Sequence, residues 1–351
     1  MIPVKADRED EGLRSDLVAR LPKVELHVHL EGTLEPSMLL DLAARNGLAL
    51  PWSSIEELQQ EYHFDGLEHF LKLLFLGAGV LRRRRDFHDL TYAYLSRASA
   101  DGVTRTEMFF GPQTFLDTGV PIDEQLDGVF EAIERAHTDL NIDAAVILTA
   151  QRHRSESAAM ELVTMTEAWH RRILGFGLGG AERGNPPAKF ERYFARCRQL
   201  GLRTTIHAGE EGSADDVREA LEVCKPDRID HGVTAATDPA LMKRLADERI
   251  PLTMCPLSNQ RLQVTPDLRE HPLLELYRAG VLVSVNSDDP PYFGGYVNDN
   301  YRAIGSALNL GPVEIAGLAR NSFISSFADA PVIFAGMAAI TDIVDDYVGG
   351  A

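Results

Sequence analysis

Val24-Glu25-Leu26-His27-Val28-His29-Leu30-Glu31-Gly32 is an apolar, β-prone run whose polar chemistry sits at its C-terminal end. Residues i and i+2 of a strand project from one face, so His27 and His29 can aim two imidazoles at a single point. Three later runs share this build. Thr205-Ile206-His207-Ala208-Gly209-Glu210 ends in a histidine, two small residues and an acid. Arg228-Ile229-Asp230-His231-Gly232 is a second, and Val283-Ser284-Val285-Asn286-Ser287-Asp288-Asp289-Pro290 closes on paired carboxylates. Each is bounded by Gly or Pro, the punctuation expected at a strand end.

Working outward, β-prone runs occur at 24–29, 103–110, 143–149, 173–178, 203–207, 228–231, 251–255 and 281–286. Most are separated by amphipathic helical patterns, for example from Pro36 to Asn46 and from Pro239 to Glu248. Strands alternating with helices mean a parallel sheet, and eight βα units close a (β/α)8 TIM barrel of the α/β class. An open doubly wound sheet is disfavoured, because no Gly-x-Gly-x-x-Gly turn follows an early strand. Residues 53–101 are too many for one barrel helix and predict two or three extra helices inserted after strand 1. With no internal repeat or linker, residues 16–351 read as one domain, preceded by a disordered segment at 1–15.

In such barrels chemistry gathers at the C-terminal strand ends. His27, His29, His207, His231, Asp288 and Asp289 all fall there, whereas His63, His69, His88, His137, His170 and His271 do not and read as surface or packing residues. Histidines and a carboxylate at strand ends make a nitrogen/oxygen site suited to zinc or a similar divalent ion. Two adjacent acids ending an apolar strand would also be costly to bury without a cation.

Composition agrees with a soluble enzyme. The chain has 351 residues, 44% hydrophobic and 25% charged, with a net charge of −18. That balance argues against nucleic acid or an anionic membrane as partner, since both need clustered positive charge. The basic run Arg82 to Arg85 reads as a solvated helix face. Three widely spaced cysteines imply no disulfide framework. The first twenty residues are charged throughout, without the apolar core of a signal peptide, and no apolar run reaches membrane-spanning length. A cytoplasmic setting is expected.

His-Val-His-Leu-Glu-Gly, His-Ala-Gly-Glu, Asp-His-Gly and Ser-Asp-Asp-Pro together resemble the signature segments of the adenosine/adenine deaminase family, within the amidohydrolase superfamily. The resemblance runs from about Leu21 to about Ser325. Glu107 to Thr114, Cys255 to Asn259 and Asn286 to Tyr296 look closer to the bacterial and fungal adenine deaminases. It implies hydrolysis of a 6-aminopurine, adenine by preference, to the 6-oxopurine and ammonia. It also implies one Zn2+ per chain held by His27, His29, His207 and Asp288. His231 is then expected to steer or take the proton of the attacking water, Glu210 to protonate N1, Asp289 to meet N7, and a backbone group near Gly180 to meet N3.

Two departures stand out. Gly179-Gly180-Ala181 replaces the family's usual Asp-Ser-Ser or Asp-Ser-Ala, and Gly111 replaces a commoner Asp before Pro112. Competing readings are an adenosine or N6-substituted adenine deaminase and a purine-binding protein without catalysis. A binuclear hydrolase is a further alternative, and such relatives bridge two metals with a lysine ending strand four. No lysine occurs between Lys72 and Lys189, and a mere binder has no need of both Glu210 and His231.

Overall fold

The computed structural model describes residues 16–349, so the segment expected to be disordered at 1–15 lies outside the described residues. Eight parallel strands follow one another around a single sheet in sequence order. They are β1 Lys23–Glu25, β2 Val103–Phe110, β3 Asp143–Gln151, β4 Gly175–Gly179, β5 Arg203–Ala208, β6 Arg228–His231, β7 Leu252–Met254 and β8 Val283–Val285. Apart from Ala144 and Ala145 at the start of β3, which are partly exposed, their apolar residues are buried, as expected when both faces of a parallel sheet are covered. The fold is the (β/α)8 barrel.

The first strand differs from expectation. Its ladder stops at Glu25, and residues 24–29 do not pair continuously. At Leu26 the backbone N–H donates to the Asn286 side-chain oxygen at 2.8 Å instead of to a neighbouring strand. Beyond it, Val28 bridges Asp288 and His29 bridges Phe109. This extension joins β1 to both neighbours and closes the barrel.

Between β1 and β2, residues 53–101 form three helices, Ile55–Gln60, Leu67–Ala78 and Arg84–Ala100. In the middle one, Leu67, Phe70, Leu71, Leu74 and Phe75 recur with the spacing of one helical face, and that face looks onto the mouth of the barrel. The basic run is only partly helical: Arg83 precedes the last helix, Arg84 pairs with Asp127 and Glu131, and Arg85 lies near Asp89. The three cysteines are buried and unbridged. No described helix is long and apolar enough to cross a membrane.

Candidate active site

The seam that closes the barrel is also where the candidate metal ligands meet. Asp288 N–H donates to the His27 carbonyl at 3.0 Å, and His29 N–H donates to the Asp288 carbonyl at 2.9 Å. The approach to Asp288 is fixed by Glu25, which accepts from the Ser287 N–H at 3.2 Å and its hydroxyl at 2.5 Å. Asp288 and His231 both adopt left-handed backbone, with φ of 64° and 63°. Such strain in non-glycine residues costs roughly 1–3 kcal/mol and is typically retained where geometry serves function.

Side-chain atoms converge to match. His29 Nε2 lies 3.1 Å from His207 Nε2, while Asp288 Oδ1 lies 3.3 Å from His27 Nε2 and 3.4 Å from His29 Nε2. The partners on the far side of the rings orient two of these lone pairs. Thr253 Oγ1 lies 3.1 Å from Asp230 Oδ1, to which it donates, and it can then accept from His27 Nδ1 at 3.0 Å. Asp230 Oδ2 lies 3.4 Å from His207 Nδ1. Protons drawn to both Nδ1 atoms leave both Nε2 lone pairs facing inward. His27 Nε2 has no hydrogen-bond partner although wholly buried. Buried lone pairs aimed at one point beside a carboxylate fit a divalent cation, and the donor set is one that zinc favours. Cys255, after β7, also has its sulfur within 4.8 Å of donor atoms of His27, His231 and Asp288.

Electrostatics separate the groups around this cluster. Burial pushes the His29 imidazole down to about 3. Burial, aided by His27, likewise holds His231 well below its ordinary value, so it is neutral at pH 7. Burial alone would raise Asp288, but the surrounding histidines carry it well below the carboxylate range. Glu210 moves the other way: burial first, then the charges of Asp288, Glu182 and Glu211, raise it well above 4.5. Asp289 is raised by burial and by Asp288. The site thus sets protonated acids beside a neutral imidazole, with Glu210 Oε2 3.5 Å from His231 Nε2.

These groups line one common pocket at the mouth of the barrel. His29, His207, His231, Asp288, Asp289 and Glu210 form one side, and the apolar face of Leu67–Ala78 forms the other. Gly180, with φ of 100°, lines it too. At the Gly179-Gly180-Ala181 departure, φ at Gly180 disfavours any side chain, and a Cβ on Gly179 would press to 3.2 Å from Thr149 Cγ2. At Gly111 a Cβ would lie 2.6 Å from Glu31 Oε1, so a side chain there and the present Glu31 position are incompatible. The end of β4 offers Gly179 and no lysine.

Every sequence-predicted site residue therefore comes to one place. Asp230, Thr253, Glu182 and His153 were missed. Asp230 had a readable signal, because it precedes His231 in an apolar strand; it pairs in register with His207. Thr253 had none. Helix Ala214–Glu219 is capped by Ser213 with Asp216, which frees Glu210 from that duty.

Gly32 tests how tightly the acids are seated. A Cβ there would overlap the Asp289 carboxylate. Gly32→Ala is expected to lower kcat/KM at least ~10-fold at unchanged metal content, since small displacements in an active site are amplified in rate. Near-native kinetics would show that Asp289 is not held where drawn.

The chain matches the family model described as adenosine deaminase over residues 22–347. It belongs to the adenosine deaminase family. Among curated relatives, an adenine deaminase of Ralstonia pickettii is 49% identical over 317 residues, covering 89% of this chain and 92% of that one. One from Rhodopseudomonas palustris is 48% identical over 307 residues, covering 88% and 90%. The solved structure of an adenine deaminase from Arthrobacter aurescens superimposes with a TM-score of 0.91 at 43% identity, covering 93% of this chain and 99% of that one.

Proposed function

We propose that the protein catalyses hydrolytic deamination of adenine to hypoxanthine and ammonia, with one zinc ion per chain held by His27, His29, His207 and Asp288. One observation carries the chemistry: Glu210, whose carboxyl burial and neighbouring anions raise well above its ordinary value, lies 3.5 Å from His231, whose imidazole burial holds well below its own, in a pocket that is also lined by apolar side chains suited to a flat ring. The substrate follows from the adenine deaminases that this chain resembles over most of its length.

The reaction adds water oxygen to C6 and breaks the C6–amino bond. A bound divalent ion supplies the lowered water pKa that makes attack feasible near neutrality. His231 accepts the proton of the attacking water, which its depressed pKa permits because the ring is uncharged beforehand. Glu210 donates a proton to N1, so charge does not accumulate on the ring as C6 becomes tetrahedral; the proton taken by His231 then passes to the amino group, which leaves as ammonia, and Glu210 regains a proton from the C6 hydroxyl as it becomes the 6-oxo group. Asp289, kept protonated by burial beside Asp288, donates to N7. The backbone at Gly180 meets N3, and the Leu67–Ala78 face covers the ring and sheds water. Release of ammonia from adenine, measured against a panel of purine bases and nucleosides, tests the activity; no release from any aminopurine rejects it.

Metal content is a separate check. Purified protein is expected to carry close to one zinc-like ion per chain. His27→Ala or Asp288→Ala should remove most of it, because each deletes one of four protein ligands. Two ions per chain, or full occupancy in His27→Ala, would overturn the ligand set.

A further inference from the structure

Glu182 entered the site above only through its charge, which helps to raise Glu210, yet its carboxylate is buried and bonded at both oxygens. Oε2 accepts from Gly209 N–H at 3.1 Å and from Gly212 N–H at 3.0 Å; Oε1 accepts from Glu210 N–H at 2.9 Å. The segment after β5 thus wraps around one anion. Two glycines make the wrap possible: Gly209 turns with φ of 74°, and a Cβ on Gly212 would overlap Glu182 Oε2. Arg152 holds the start of the same segment, donating to the His207 carbonyl at 2.5 Å. On its own side, Glu182 stands two residues after Gly180 at the end of β4. Its side chain therefore fastens the loop bearing the N3 contact to the loop bearing the acid.

Glu210 needs that fastening. Among the described residues its Oε1 has no hydrogen-bond partner, and Oε2 has only the 3.5 Å approach to His231. No described side chain anchors its carboxyl, so its aim is set by the backbone beneath it. We propose that Glu182 is the positioning residue for Glu210, holding the acid at N1 by clamping the backbone N–H groups of residues 209, 210 and 212. A carboxylate suits this task because it offers acceptors only, and charged acceptors make the stronger bonds to N–H. Misplacement of a reacting group by about 1 Å can cost ~10²-fold in rate.

The inference rests on the deaminase reading, and a double-mutant cycle separates the two. Glu182→Gln preserves size but turns an amide N–H toward a backbone N–H. It is expected to lower kcat on adenine at least ~10-fold, with KM within ~3-fold and metal content unchanged. In a Glu210→Gln background the same change should cost less than ~2-fold, because an acid already absent cannot be misaimed. Equal losses in both backgrounds, or kcat within ~2-fold of wild type, would overturn the inference. If Glu182→Gln does not fold, Gly212→Ala disturbs the clamp from the other side and is read through the same cycle. Wild-type protein that releases no ammonia would reject the deaminase reading instead.

Discussion

Glu210→Gln is expected to reduce kcat on adenine by ~10²–10⁴-fold while zinc content stays at the wild-type level. The amide matches the carboxyl in size and cannot donate the proton that N1 requires. Because burial and neighbouring anions raise Glu210, its acid form persists above the usual carboxylate range and is lost as pH rises. Wild-type turnover should accordingly fall on the alkaline side, and that limb should be absent from the residual activity of the variant. The stability sign is the reverse of that for a carboxylate held below its ordinary pKa by a partner. Folded protein holds this proton where the unfolded chain has released it, so Glu210 costs stability above its ordinary pKa. The variant should melt no lower than wild type at neutral pH. Near-native turnover, or loss of metal along with activity, would remove Glu210 from its assigned role.

The barrel was legible because its strands are short apolar runs ending in Gly or Pro, and because eight of them alternate with helical patterns. The convergence of the candidate ligands was legible for a related reason: strand ends collect the chemistry, and four motifs carried polar residues there. What stayed hidden depends on pairings between distant segments. Thr253 orients His27 across 226 residues of sequence, a contact set by the order of β1, β7 and β8 around the barrel. Glu182 directly follows the Gly179-Gly180-Ala181 segment, yet its worth comes from three backbone N–H groups on the next loop. Backbone donors leave no compositional trace. Glu31, which follows the His-Val-His-Leu motif, is buried in the pocket wall, where Gly111 N–H donates to it at 3.1 Å and burial pushes its carboxyl up to about 7.

That seat for Glu31 bears on the choice between base and nucleoside. We expect kcat/KM for adenine to exceed that for adenosine by at least ~10²-fold, or about 2.7 kcal/mol in transition-state binding. Aspartate stands at this position in adenosine deaminases, as the family resemblance implies, and meets a ribose hydroxyl. The longer glutamate instead reaches the opposite wall, and the missing side chain at Gly111 is what admits it. Leu67, Phe70, Leu71, Leu74 and Phe75 in the pocket lining offer no partner to a sugar hydroxyl, unlike Gln151 and His153, which line it too. Each hydroxyl left unpaired against the apolar side chains costs roughly 1–3 kcal/mol, so two at about 1.4 kcal/mol or more account for the predicted ratio before any steric clash is counted. Parallel initial-rate measurements on the two compounds decide the matter. Comparable rates, or a preference for adenosine, would defeat the adenine assignment and leave the deaminase chemistry of Glu210 and His231 standing.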